Sequence, residues 1–444
     1  MRYAYHIMFL ALFFCSCTSE EPNSSGSTTA KDNVYLELNK WMYSQMNRQY
    51  LWREDLPDST SCNYDLPPRD FFESLLSVKD RFSYFTTNDS YNPSKNLGFA
   101  YQLVQDSKGI NAWQVLYVTS DEVKAKGVKR GDFYAPTNTE DNLIKLQRLQ
   151  YSHNGFEKDD KTIVLSGLDL FESSTVLKDS VYINSNKRIG YLCYLKYGET
   201  KDLDKALKNF SSNQITDLIL DLRYNPGGYV STCRFLCNCI VPESGYNNIF
   251  QQCSYNNILS AEYYKTTGDW KTYSYFQTPG EILGEQLGVV LTPLKLNKLI
   301  VLTSSHTASA SEATIVCLRS YMDVITIGEQ TVGKGVGSWT ISDPRFRYAI
   351  QPITMRYYNA DGVSTPDDGI EPNIYVSDGY SVGKLEIGDS NEKLLRIALD
   401  YINGSTLTIN NNTYSRSKIE NSLTPIGDPS YVTEYKNKHY NESN

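Results

Sequence analysis

Leu299-Ile-Val-Leu-Thr303, followed by Thr307-Ala-Ser-Ala-Ser-Glu312, is a short apolar run that breaks at a polar turn and continues as a helix-forming stretch to about Tyr321. The apolar pentapeptide reads as a buried strand. Ser309-x-x-Glu312 fits a capping box, in which the serine hydroxyl and the glutamate satisfy free amides of the first helical turn. A serine placed where a strand turns into a helix can also expose its hydroxyl for attack. The positive end of the helix dipole then favours an oxyanion beside it, with the Ala310 N–H as the natural first donor. A bare helix start and a nucleophile are both consistent with these residues taken alone.

Gly333-Lys334-Gly335 lies a short way downstream and offers a base. The chain has four histidines, of which His6 falls in a leader and His439 near the C-terminus; His153 and His306 stand in no recognisable catalytic context. A lysine can replace histidine when burial penalises its ammonium and leaves a neutral amine to take the serine proton. The segment Gly328-Glu-Gln-Thr-Val-Gly-Lys-Gly335 also imitates a phosphate-binding loop, but Gly335 has no hydroxyl to ligate magnesium. The next residues, Val336-Gly-Ser-Trp-Thr-Ile341, read as a strand where that loop needs a helix. About eighty residues upstream of the serine, Leu218-Ile-Leu-Asp-Leu222 is another apolar strand. It runs into Arg223-Tyr-Asn-Pro-Gly227-Gly228 and then a helical stretch over residues 229–240. Such a glycine turn is either a plain turn or a nest of backbone amides that supplies a second oxyanion donor.

Taken in order, Asp221-Leu-Arg-Tyr-Asn-Pro-Gly-Gly228, Thr307-Ala-Ser-Ala-Ser-Glu312, Gly328-Glu-Gln-Thr-Val-Gly-Lys-Gly335 and Arg356-Tyr-Tyr-Asn-Ala-Asp-Gly362 with Gly369-Ile-Glu-Pro-Asn373 resemble the successive signatures of the carboxy-terminal processing, or tail-specific, serine peptidases. The resemblance implies an α/β core of the ClpP/crotonase type within a multi-domain α+β chain. It implies Ser309 as nucleophile, Lys334 as general base, and Ala310 with a glycine of the Gly227-Gly228 turn as oxyanion donors. Ser311 is the rival serine within the motif. Many members carry a lysine-orienting glutamine four residues after the lysine, where this chain has Ser338, whose hydroxyl can hydrogen-bond an amine at shorter reach. Leu97-Gly98-Phe99-Ala100 resembles the carboxylate-binding loop of a PDZ module, and residues 115–118 and 125–132 its next strand and turn. Tyr134-Ala-Pro-Thr-Asn-Thr139 replaces the turn usual there. Such a module captures C-terminal tails by strand addition and a backbone nest. The competing reading is a non-catalytic peptide- or ligand-binding lipoprotein that keeps the peptidase fold.

The rest of the chain fits this organisation. Arg2 precedes an apolar run over residues 7–14 that is too short to span a bilayer, and Phe14-Cys-Ser-Cys17 resembles a lipobox. This makes residues 1–16 a signal peptide, Cys17 the lipidated residue and residues 17–32 a flexible tether, with the body expected to be lipid-anchored in the bacterial cell envelope, at the outer membrane on its periplasmic face or at the cell surface. Residues 33–92 form an N-terminal region with amphipathic helices carrying Leu36, Leu38, Trp41, Met42 and then Phe71, Phe72, Leu75, Leu76 and Phe82. A PDZ-like domain spans 93–170 and the catalytic core 171–402, with a loop-like insertion over 243–297 and a closing helix over 389–402. Residues 403–444 read as a weakly ordered polar tail. Proteins or peptides engaged through their C-terminal tails are the expected partners, and a net charge of −8 argues against nucleic acid. Seven cysteines lie beyond Cys17, and Cys233, Cys237 and Cys239 sit where a helix needs apolar side chains, so they are expected in the core and no metal or cofactor is called for.

Overall fold

The computed structural model describes residues 28–87, 97–140, 143–166, 174–184, 186–278, 290–404 and 423–433. The leader, most of the tether and Cys17 lie outside them.

The centre is a six-stranded sheet of the α/β class. Strands Lys187–Tyr194, Asp217–Asp221, Lys298–Thr303, Val324–Gly328 and Ile374–Tyr375 run parallel, and Val176–Asn184 closes one edge antiparallel. Successive side chains leave a strand on opposite faces, so a strand buried on both faces must be apolar throughout. Leu218, Leu220, Leu299 and Val301 pack on one face with Phe210, Phe235 and Ile315. Ile219, Ile300 and Leu302 pack on the other with Leu394, Leu395 and Ile397. Helices Lys201–Ser212, Val230–Ile240 and Ala310–Leu318 cover the first face and Lys393–Ile402 the second. Cys233, Cys237, Cys239 and Cys317 are buried in the first cluster, and all seven cysteines after Cys17 are free thiols.

A second six-stranded sheet is antiparallel and contains Phe99–Gln105, Asn111–Val118, Phe133–Glu140, Leu143–Ser152 and Gly155–Ser166. Its sixth strand comes from the far end of the chain. Thr424–Pro425 lies antiparallel along the outer edge of Phe99–Gln105, Ile426 donates its N–H to Leu103, and Tyr431 and Val432 are buried near Tyr117 and Tyr224. The expectation of a weakly ordered tail therefore fails for residues 423–433. Its polar composition hid a sheet partner, because strand pairing uses backbone groups that every residue carries.

The expected insertion is likewise not a loop. Residues 243–297 contain strand Ile249–Tyr255, helix Asn257–Thr267 and strand Thr272–Tyr275, which with Ile353–Tyr358 and Val336–Ser338 build a four-stranded antiparallel sheet. The Asn256 side chain caps the helix by accepting from Leu259 N–H, and Gly268 ends it in the left-handed conformation. Gln252 is an interior residue with partners: it is buried and donates to the carbonyls of Asn359 and Ala360. The N-terminal region packs helix Thr28–Gln49 against Pro68–Ser74 through Leu38, Met42, Met46, Phe71 and Phe72. It joins the core when Tyr84–Thr87 pairs with Tyr348–Gln351. Leu75, Leu76 and Phe82 lie beyond the second helix, which stops at Ser74.

Beneath the glycine turn lies a cluster of six charges, three of each sign. Arg223 donates to Asp221 (3.0 Å) and, through two nitrogens, to Glu392 (2.7 and 2.9 Å). Arg130 and Lys384 meet Asp378 at 2.8 and 2.9 Å. Burial alone would raise the carboxyls of Asp378 and Glu392, yet both are held below the usual range, Asp378 by Arg130, Lys384 and Arg223, and Glu392 by Arg223. Removing one partner leaves the others charged and dry. Arg223→Met is expected to lower unfolding stability by about 3–5 kcal/mol in denaturant titration. Because the folded pKa values of Asp378 and Glu392 lie below the unfolded ones, their contribution is intact above about pH 5 and is lost as pH falls through the acid range. A wild-type stability that stays flat down to strong acid would contradict this account.

Candidate active site

The strand-to-helix turn places Ser309 as the N-cap of Ala310–Leu318, half-buried, with φ +57° and ψ −114°. A residue with a Cβ avoids this region, and holding one there costs about 1–3 kcal/mol. The surroundings that hold it are the glycine turn and the segment leading into the helix, laced together by hydrogen bonds. Thr307 Oγ1 donates to Leu222 O (2.9 Å), Ser304 Oγ to Arg223 O (2.5 Å), Ser311 Oγ to Asn225 O (3.0 Å), and Ala308 N–H to Asn225 O (3.3 Å). Ser311 is fully buried with its hydroxyl committed, so its work is structural, and Ser309 is the serine of the motif left at the surface of the turn.

The Pro-Gly-Gly turn meets the serine directly. A Cβ on Gly227 would lie 2.8 Å from Ser309 Cβ and 3.1 Å from Ala310 N, and on Gly228 it would lie 2.1 Å from Tyr197 O. With φ of +110° and +140°, both positions need glycine twice over. Their amides differ. Gly227 N–H donates to Asn225 Oδ1 (2.9 Å) and is spent within the turn. Tyr197 bonds Gly227 O and Tyr229 N–H, a parallel bridge that turns the Gly228 N–H away from Tyr197. Of the two glycines expected as donors, Gly228 is the one whose amide is oriented outward.

Glu312 reaches further than a capping box requires. The capping box accounts for Ser309 N–H donating to Oε2 (2.8 Å). The same carboxylate accepts from Gly333 N–H (2.7 Å), Lys334 N–H (2.8 Å) and Thr331 Oγ1 (2.5 Å). It is fully buried, and burial raises its carboxyl above the usual range despite four donors that favour the ionised form. Serine segment and lysine segment are thereby fastened to one group, with Val332 N–H donating to Thr307 O (3.0 Å) beside it. No helix succeeds Gly333-Lys334-Gly335; Val336–Ser338 is a strand, which removes the nucleotide-binding reading.

Lys334 is half-buried, its Nζ lying 5.4 Å from the centroid of the Phe82 ring. Ser338 Oγ accepts from Gln351 Nε2 (2.8 Å), whose Oε1 accepts from Thr340 (3.0 Å) and Tyr84. His153 lies in the turn between two strands of the antiparallel sheet, and the His306 ring meets Tyr431 edge-on at 6.3 Å. In the second sheet, Phe99 and Ala100 are strand residues paired with Val118 and Tyr117, and Leu97 precedes them. Gly98 O accepts from the amides of Thr119 and Ser120 at the start of a short helix. The outer edge of that strand holds the chain's own residues 424–426. Among the described residues no group of three or more His, Cys, Asp or Glu side chains is arranged to hold a metal ion.

The family description "Peptidase family S41" matches residues 188–376, and "Peptidase S41 N-terminal domain" matches residues 37–84, together just over half of the chain. The carboxy-terminal-processing protease of Bartonella bacilliformis is 24% identical over 394 residues, 83% of this chain and 82% of that one. Carboxy-terminal processing protease CtpB of Bacillus subtilis is 25% identical over 205 residues, 45% of this chain but 36% of CtpB. The crystal structure of an S41 protease from Bacteroides fragilis has the same fold, with a TM-score of 0.68, 22% identity, and coverage of 87% of this chain and 100% of that one. The matched stretch contains the glycine turn, Ser309, Glu312 and Lys334, whose geometry agrees with the motif order read from the sequence, and the chain belongs to peptidase family S41.

Proposed function

We propose that this chain is a serine endopeptidase of the carboxy-terminal processing kind, cutting proteins or peptides near exposed C-termini through a Ser309–Lys334 dyad. One observation carries the reading: the Glu312 carboxylate accepts from the amides of Ser309 and Lys334 at once, so nucleophile and base are referred to a single buried group. Lys334 as a neutral amine takes the hydroxyl proton while Ser309 Oγ attacks the scissile carbonyl. The oxyanion is received by Ala310 N–H at the head of the helix and Gly228 N–H of the turn. Collapse expels the amine with the proton returned by Lys334 and leaves an ester on Ser309, which water, activated by the same lysine, hydrolyses. Ser338 accepts from Gln351 and keeps its own proton to offer to the lysine amine.

Tail capture belongs to the PDZ-like module, by strand addition along Phe99–Gln105 with residues 97–100 at its end. Because residues 424–426 already lie on that edge, capture there proceeds by exchange with the chain's own segment. A lipid anchor at Cys17 holds the body at an envelope membrane; no helix among the described residues is long and apolar enough to cross one.

Incubation of the full-length chain with an unfolded protein tests the reading. Ser309→Ala and Lys334→Ala are each expected to lower cleavage by about 10³-fold or more with the fold intact by circular dichroism. The wild-type rate is expected to rise with pH along a limb that reports deprotonation of Lys334. Undiminished cleavage by Ser309→Ala sinks the assignment, and absence of fragments from the wild type favours the binding protein. Glu312→Gln places an amide NH₂ where two backbone donors converge. Its kcat is expected to fall about 10²-fold, with a loss of about 1–3 kcal/mol in unfolding stability.

A further inference from the structure

The peptide units around Lys334 lie between charges of opposite sign. On their amide side is Glu312, accepting from Gly333 N–H and Lys334 N–H. On their carbonyl side is Arg81, from the N-terminal region, whose guanidinium donates to Gly333 O (3.0 Å), Val332 O (3.3 Å) and Asp367 O (2.7 Å). Asp367 belongs to the facing segment. Gly333, at φ +86°, leaves no room for a Cβ, which would lie 2.3 Å from Asp367 O. The two segments pack backbone to backbone, and Arg81 clasps both across the seam. The next residue touches the lysine side chain itself: the Phe82 ring centroid is 5.4 Å from Lys334 Nζ and 4.8 Å from the Arg81 guanidinium carbon.

This dipeptide is held firmly in its own region. Asp80 Oδ1 accepts from the amides of Phe82 and Ser83, both at 2.9 Å, while Asp80 Oδ2 accepts from Tyr50 Oη (2.8 Å). Tyr50 is fully buried just past helix Thr28–Gln49. Ser83 Oγ accepts from Ile353 N–H, and Tyr84–Thr87 then enters the sheet with Tyr348–Gln351. A rigid path therefore runs from the first helix through Tyr50 and Asp80 to the loop that carries the lysine.

We infer that Arg81 and Phe82 are positioning residues for the Lys334 base, which makes the N-terminal region a working part of the active centre. The inference rests on the Ser309–Lys334 reading. Among the described residues, the ionisable groups on the segments packed against the lysine loop include Glu312 behind the Lys334 amide, Asp80 and Arg81 on the N-terminal turn, Asp367 with its partner Arg356 on the facing segments, and Tyr357, whose N–H donates to Gly335 O. Arg81 and Phe82 act on the amine in opposite senses. A guanidinium sharing a ring with the amine disfavours a second positive charge, whereas the face of the ring attracts an ammonium.

Arg81→Met, Arg81→Lys and Phe82→Leu in the full-length chain separate positioning from mere packing. For Arg81→Met, kcat at neutral pH on an unfolded protein is expected to fall about tenfold with KM within about twofold, and the rising limb of the pH–rate curve moves to higher pH. Arg81→Lys restores part of the rate, and Phe82→Leu moves the limb the other way. The pH dependence of Lys334 acetylation by acetic anhydride, read by mass spectrometry in a Ser309→Ala background, reports the same shifts without turnover. Unshifted labelling curves, or rates that fall only with the folded fraction, overturn the inference and leave the peptidase intact. Shifted labelling in a chain that shows no Ser309-dependent cleavage upholds the lysine's placement and overturns the peptidase.

Discussion

The carboxylate of Glu312 is the interaction on which the rest of the centre depends. A buried carboxylate is expensive unless its lone pairs are filled, and here four donors fill them: two amides of the lysine loop, the Thr331 hydroxyl and the Ser309 amide. Three of the donors lie within residues 331–334 and the fourth is Ser309, on a segment that the chain does not otherwise hold beside that loop. Once the carboxylate is dry, none of the segments can withdraw without stranding it. A single buried side chain thus holds the Ser309 and Lys334 segments together.

Around that bond the structure is layered by what each part must resist. Ser309 is held in a backbone conformation that side chains avoid, and its relaxation is opposed by hydroxyl and amide bonds that tie residues 304–311 to the glycine turn. The turn is seated on Arg223, whose charge is balanced within the six-group cluster below it. Strain at Ser309 therefore stands on a rigid footing of paired charges, and that footing rests on the parallel sheet, whose two apolar faces are both covered. The two ends of the described chain add to this from outside. Arg81 and Phe82 close on the lysine loop, and Tyr431 packs against Tyr224 of the turn while residues 424–426 seal the edge of the second sheet.

Much of this was legible in the sequence where the signal is local. Strand Lys298–Thr303 with its serine helix, strand Asp217–Asp221 with its glycine turn, and the strand after Lys334 all announce themselves through apolar runs broken by glycine or by a capping box. Residues 249–275 and 423–433 did not, because their strands carry glutamine, serine, threonine and tyrosine or are only two residues long. Composition marks a loop only when no partner waits to pair with its backbone.

By itself, then, the sequence determined the order of the motifs, the strand-to-helix turn that carries Ser309, the glycine turns around Gly227 and Lys334, and the family these imply, since all are carried by residue type within short windows. Only the tertiary structure decided which glycine amide faces outward, that Ser311 is spent in packing, that Glu312 spans from serine to lysine, and that Arg81 and Tyr431 reach the centre from opposite ends of the chain. The reason is physical. A hydrogen bond between residues 81 and 333, or 312 and 334, leaves no mark on either residue's neighbours, because the sheets that bring them together are specified by apolar side chains elsewhere.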